Sequence, residues 1–231
     1  MKGYGQFCPL ALTSEVIGER WTPLVIREII TGAARFNDIH RGVPRMSPTL
    51  LTRRLKTLQA AGIVQRQRGD DGRIRYVLTE AGAALVPVIR GLIDWGMAFL
   101  PATLSRDHAD PDLIMWDLHK RIELERVPET RTVVRFAFTD QVKANRWRWI
   151  VGSPTGMTLC ITDPGFEVDL FVTTDAWTMA RVWYGELPLK RALGEELIVI
   201  DGPRRLREAF PSWLMLSGLA GTGGRLPLKA A

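Results

Sequence analysis

Between residues 8 and 31 the apolar side chains fall at Leu10, Leu12, Val16 and Ile17, then at Leu24, Val25, Ile29 and Ile30, a helical recurrence interrupted at Gly18 and Pro23. The spacing predicts two short helices. A third follows Gly32, around residues 35–41, and the turn Gly42-Val43-Pro44 stops it. Ser47 is suited to cap the next helix, Pro48 fits its first position because the missing amide hydrogen would have no partner there, and Gly62 ends it after Ala61. On this helix Leu51, Leu55 and Leu58 form a buried stripe, whereas Thr49, Thr52, Arg53 and Lys56 form a polar and cationic one.

Two strand patterns follow, residues 63–68 and 73–78, with Gly69, Asp70, Asp71 and Gly72 as the hairpin turn and Arg66, Arg68, Arg73 and Arg75 flanking the tip. A helix followed directly by such a ribbon is the pattern of a winged helix, whose recognition helix reads the major groove while the wing lies along phosphates or in the minor groove. Residues 81–100 form a further helical pattern with only Arg90 and Asp94 as charges, too apolar for a solvent-exposed helix and suited to a dimer interface. Residues 101–112 read as a linker, and the pattern then changes. A helix at 113–125 leads to strand patterns at 132–138, 146–151, 157–162 and 168–174, helices at 176–184 and 187–193, a strand at 197–200 and a last helix at 203–216. The expected fold class is α+β: a winged helix-turn-helix domain at 1–100, then a second α+β domain at 113–217 with a mostly antiparallel sheet, and a tail from 218.

Charge sharpens this picture. Of the net +6, all lies in the first hundred residues, which hold 14 Lys and Arg against 8 Asp and Glu, while the remainder holds 17 of each. Residues 35–75 alone carry ten cations against three Asp, the balance of a surface that meets phosphate. The chain carries neither an export-signal pattern nor an unbroken apolar run of membrane length, which points to a cytoplasmic protein with no membrane partner. Its two cysteines, Cys8 and Cys160, fall in different expected domains and support neither a disulfide framework nor a zinc site.

The first hundred residues resemble the HxlR family of winged-helix regulators. The resemblance is carried by Cys8-Pro9, Gly18-Glu19-Arg20-Trp21-Thr22, Gly32 with Arg35-Phe36-Asn37-Asp38-Ile39, residues 47–62, and Arg75-Tyr76-Val77-Leu78-Thr79 with Gly82. It implies a homodimer on double-stranded DNA, pairing through its N-terminal and post-wing helices and setting two recognition helices into successive major grooves. The later part resembles the sterol carrier protein type-two fold, most closely over 168–216, through Thr173-Thr174-Asp175-Ala176, Tyr184-Gly185-Glu186-Leu187 and Gly202. That resemblance implies an apolar space for a small hydrophobic ligand without naming the ligand.

The DNA-contacting candidates are therefore Ser47, Thr49, Thr52, Arg53, Arg54 and Lys56 on or beside the recognition helix, with Arg66, Arg68, Arg73 and Arg75 on the wing. Arg53 has the reach and the fork to bond guanine, while Arg54 and the wing arginines suit phosphates. Six of eight tryptophans follow residue 110, and such a set is either core packing or the wall of an apolar pocket. As a pocket, its lining is expected from Trp147, Trp149, Phe171, Trp177 and Trp183, with Arg146 and Arg148 on the opposite face of their strand. Cys8 precedes the first helix, where amide dipoles favour a negative group, and in some HxlR relatives the matching cysteine senses oxidants or electrophiles. Cys160 reads as a core residue. The three histidines are scattered, and the chain shows no phosphate loop, metal-ligand cluster or nucleophile with its base, so no cofactor, metal or catalysis is expected. The expected function is a regulator, repression being its default mode, whose operator affinity follows a ligand in the second domain. The rivals are a thiol sensor acting through Cys8 and a carrier of lipids or small molecules.

Overall fold

A computed structural model of the chain describes residues 3–99, 106–128, 130–153 and 156–214. It divides into two compact units, Met1–Ile93 and Asp94–Ala231. In the first, the apolar recurrences become α1 (Pro9–Ile17), α2 (Thr22–Ile30), α3 (Phe36–Gly42) and α4 (Pro48–Ala60), followed by the hairpin β1 (Val64–Arg68) and β2 (Ile74–Leu78). Val25, Ile26, Ile39, Leu51, Leu55 and Leu58 are almost wholly buried and join α2, α3 and α4 into one core. The expected boundaries of α4 hold for the expected reasons. The Ser47 hydroxyl accepts from the Leu50 amide at 3.3 Å, and Gly62 leaves the helix in the left-handed region at φ +69°.

The helix expected over 81–100 is instead two: a single turn, α5 (Glu80–Ala83), and α6 (Val86–Phe99). Pro87 is the cause, because it has no amide hydrogen for the carbonyl four residues back and its ring crowds that carbonyl. The chain turns tightly there, with the Leu85 amide bonded to the Gly82 carbonyl at 3.1 Å, before α6 begins. The Leu100 end expected for this helix, and linker residues 101–105, lie outside the described residues.

The second unit is built on a mixed five-stranded sheet of order β5-β4-β3-β6-β7, from β3 (Thr132–Phe138), β4 (Trp147–Ser153), β5 (Gly156–Cys160), β6 (Leu170–Thr174) and β7 (Val199–Asp201). Three of its pairings are antiparallel, and β3 with β6 is parallel. Register places Val134 beside Ile150 and Leu170, and Phe136 beside Val172. These side chains are buried on one face and form its core. Onto that face pack α7 (Pro111–His119), through the ion pair of Asp112 with Arg148 on β4, and α10 (Arg204–Trp213), through Phe210 at 6.1 Å from Phe136. Helices α8 (Ala176–Trp183) and α9 (Leu189–Gly194) connect β6 to β7, and α8 packs beside α7.

The helix expected at 113–125 starts earlier and stops sooner. Asp110 caps it through the Asp112 amide, Pro111 opens it, and it ends at His119. The remainder is drawn out of the helix by tertiary pairing, since Ile122 bridges Leu214 and the Glu123 amide bonds the Trp213 carbonyl at 2.9 Å. The last expected helix is formed to Trp213, and its extension to 216 and the tail from 218 lie outside the described residues.

Candidate nucleic-acid interface

Helix α4 divides by side. Leu51, Leu55 and Leu58 hold it to the core, and Thr49, Thr52, Arg53 and Lys56 are all exposed on the other side. The Thr52 hydroxyl donates to the Pro48 carbonyl at 2.9 Å, so the side chain is held against its own helix. Arg53 and Lys56 have no ion-pair partner among the described residues and extend as free cations. Ser47 is exposed, but its oxygen is committed to capping.

Arg54 departs from expectation. It is buried, forms an ion pair with Glu19, and directs its Nε to the Arg20 carbonyl at 3.4 Å. A guanidinium so placed anchors α4 to the turn between α1 and α2, and its place as a phosphate contact is corrected accordingly. The reason lies in helical geometry: Arg54 adjoins Leu51, Leu55 and Leu58 around the helix and so turns inward, where only a carboxylate makes its charge tolerable. Neither the Glu19 partnership nor its purpose is visible in a linear pattern, because the two residues are separated by two helices.

The wing is a ribbon with cations on both sides. Arg66 pairs across with Tyr76 and Arg68 with Ile74, whereas Arg75 pairs with Gln67, so Arg66 and Arg68 project from one face and Arg75 from the other. Arg66, Arg68, Arg73 and Arg75 are all exposed. Asp71 organises the tip: its carboxylate accepts from the Arg73 amide at 3.1 Å, from Arg75 at 3.3 Å and from Arg35, just before α3, at 3.1 Å. The bond from the Arg73 amide is the largest influence holding the Asp71 carboxyl below its ordinary value of 3.8, with Arg75 and Arg35 adding to it. Arg35 was not expected at the site. It ties the wing tip to the helical part, and Arg75 bonds the same carboxylate.

An exposed helix face bearing Arg53 and Lys56, followed by an arginine-flanked wing, has counterparts among known proteins. Residues 16–104 match the model of the family described as HxlR-like helix-turn-helix. An HTH-type transcriptional regulator of Methanothermobacter thermautotrophicus is 31% identical over 94 residues, covering 40% of this chain and 72% of its own. The chain belongs to the HxlR-like helix-turn-helix family. The HTH-type transcriptional regulator YdeP of Bacillus subtilis is 33% identical over 91 residues, covering 38% of this chain and 71% of its own. Among solved structures, the reduced form of the transcriptional regulator YodB from B. subtilis is 33% identical, covers 41% of this chain and 96% of its own, and has a TM-score of 0.37. This HxlR-like protein is thus a DNA-binding transcriptional regulator, and its relatives are regulators rather than enzymes. The family match spans 16–104 and includes none of the five-stranded sheet.

In the second unit of the HxlR-like chain the five expected pocket residues do not converge. Trp147 and Phe171 border one cavity of about 180 Å³ on the sheet face opposite the helices. Trp149 shares that face but is buried outside the cavity lining, and Trp183 is buried on α8. Trp177, half-buried on α8, does not border the cavity either. Trp116 and Trp213 are core residues, so most of the tryptophan set is packing. Arg148 lies on the helix-covered face as expected, but Arg146, at the approach to β4, borders the same cavity as Trp147. The cavity's central cation, Arg135, was missed, although a lone charge within Thr-Val-Val-Arg-Phe-Ala-Phe was the available signal.

Cys8 is exposed immediately before α1, and Cys160 is half-buried on β5 beside Trp149. Among the described residues no cluster of three or more His, Cys, Asp or Glu side chains is arranged to hold a metal, and no helix is long and apolar enough to cross a membrane.

Proposed function

We propose that the protein is a homodimeric cytoplasmic repressor that binds operator DNA through α4 and the wing, its affinity set by a small ligand held in the second unit. The observation that carries the DNA reading is the exposed Thr49, Thr52, Arg53 and Lys56 stripe beside an arginine-flanked ribbon. In this arrangement Arg53 contacts a base edge, Lys56 reaches a base edge or a nearby phosphate, and Arg66, Arg68, Arg73 and Arg75 straddle the phosphate backbone from both faces of the wing.

Dimer formation is supported by α6, where Val88, Leu92, Trp95 and Phe99 recur along one side at 45%, 52%, 55% and 46% exposure. Leu10 and Leu12 of α1 and the preceding Phe7 are also exposed. Full burial of a large apolar side chain is worth about 1.5–3 kcal/mol, of which roughly half remains for each α6 residue, and this favours a second copy covering them. The second unit follows the element order β6, α8, α9, β7, α10, the order on which the sterol-carrier resemblance rested, and this supports a ligand-holding role for it. Ligand and DNA then act on one equilibrium through their different affinities for its two states.

The test is a titration of the full chain against DNA from its own promoter and against a shuffled duplex, at two salt concentrations. Tight binding to the promoter alone, weakening steeply with salt, is the expected result. Equal weak binding to both duplexes, or none, refutes the reading and brings forward the carrier function. Exposure of Cys8 ahead of α1 favours one second reading, a thiol sensor with a passive second unit. Loss of operator binding under a thiol oxidant, absent in Cys8→Ser, is its signature.

A further inference from the structure

Strand alternation places Arg135 of β3 on the face opposite the helix layer, in register with Trp149 on one side and Phe171 on the other. Its guanidinium lies 4.4 Å from the Trp147 ring centre and 4.5 Å from that of Phe171, a cation held between two aromatic faces. Arg146 borders the same cavity. The Nε atoms of both arginines are closed off from solvent and have no hydrogen-bond partner, and neither side chain has an ion pair among the described residues. Elsewhere in the same unit Arg126, Arg148, Arg181, Arg191 and Arg204 each pair with a carboxylate. Both guanidinium groups are thus left without a counter-charge, and a ligand carboxylate in the cavity they border supplies one.

The rest of the lining fits an anion with an apolar body. Thr139 and Thr173 add hydroxyls, Trp147, Phe171 and Ala137 form an apolar wall, and no carboxylate takes part. Of the acids outside the lining, Asp140 accepts from the Ala176 amide at both oxygens, and Asp201, cross-strand from Phe171, accepts from the Gly202 amide at one oxygen. The cavity is half open, and its volume of about 180 Å³ has room for one six-membered ring, the size that an enclosed cavity of about 150 Å³ holds.

We propose that this cavity binds a single-ring aromatic carboxylate, its carboxylate accepting from Arg135 and Arg146 and its ring lying in the apolar part of the cavity beside the stacked Arg135 guanidinium. The proposal rests on the reading that the second unit holds a ligand, and it gives the small hydrophobic ligand expected there an anionic group. Arg fits this task because its planar fork matches a carboxylate and its face stacks on rings.

The experiment is calorimetric titration of the full-length protein, without DNA, with benzoate, phenylacetate, neutral benzyl alcohol and inorganic phosphate. Saturable binding of an aromatic carboxylate, at least about 10-fold tighter than benzyl alcohol and phosphate, is the expected result. Arg146→Gln, at the approach to β4 where only the backbone carbonyl bonds β3, is expected to weaken that binding about 10-fold with an unchanged circular dichroism spectrum. Arg135→Lys keeps the charge but loses the fork and is expected to weaken it comparably. Equal binding of benzyl alcohol, equal binding of phosphate, indifference to Arg146→Gln, or no saturation by either carboxylate up to about 10 mM each overturns the proposal. The promoter titration, repeated with benzoate and with benzyl alcohol, separates it from the reading beneath it. Carboxylate binding that leaves operator affinity unchanged keeps the site and removes the ligand control, while a neutral compound that shifts operator affinity without carboxylate binding does the reverse.

Discussion

Replacing Arg54 by alanine separates an anchoring cation from a DNA-contacting one. Its side chain is 8% exposed and that of its partner Glu19 is 15% exposed, so removal leaves a carboxylate largely shut away from water with no counter-charge. Breaking one side of a buried pair costs about 3–5 kcal/mol, and the slight exposure of Glu19 favours the lower end. With a urea slope of about 1–3 kcal/mol per molar, a loss of about 3 kcal/mol lowers the unfolding midpoint of the first unit by about 1–3 M. The double replacement Glu19→Gln with Arg54→Met removes both charges at similar volume and is expected to recover more than half of that loss. The second arm is the salt dependence of operator binding by the folded variant. A phosphate contact contributes about 0.9 to the slope of log affinity against log salt, so Arg54→Met in the double variant is expected to leave the slope unchanged. A midpoint shift below about 0.3 M together with a slope shallower by nearly one would show that Arg54 faces DNA, and would refute the anchoring argument.

Other expectations follow from the same geometry. Arg53→Ala is expected to lose about 1–3 kcal/mol of operator affinity and to relax discrimination at one base pair, whereas Arg73→Ala weakens specific and shuffled duplexes alike and lowers the salt slope by about one; competition binding against single-base variants distinguishes them. Leu92→Glu or Trp95→Glu, each on the exposed side of α6, is expected to shift the protein from dimer to monomer in sedimentation equilibrium, and an unchanged mass rejects α6 as the interface. Asp71 is held below its ordinary 3.8, first by the Arg73 amide, so its ionised form favours the folded wing. That contribution is fully present above about pH 4 and is lost as pH falls through the lower folded value. The Arg73 amide shift should follow this titration by nuclear magnetic resonance in the parent and not in Asp71→Asn.

Local physics made the first unit readable. Gly18, Ser47, Pro48 and Gly62 punctuate helices through backbone constraints that act within a few residues, and the leucine stripe of α4 is set by helical period alone. Net charge likewise pointed to the first hundred residues as the part suited to meet phosphate. The strand positions of the second unit were legible too, because alternation needs no knowledge of the neighbouring strand.

What tertiary structure decided was the partner of each charge. Arg54 and Arg53 are adjacent in sequence and identical in chemistry, yet one is buried against Glu19 and the other is exposed, because a helix turns by about 100° per residue and only one direction faces the core. The same holds for the tryptophans. Composition could count them, but only the register of β3 with β4 and β6 brought Trp147 and Phe171 to either side of Arg135, while packing of α8 into the helix layer removed Trp183 from that face. Residues distant in the chain meet through strand pairing and core packing, and those long-range contacts are the part of the physics that a linear pattern does not carry.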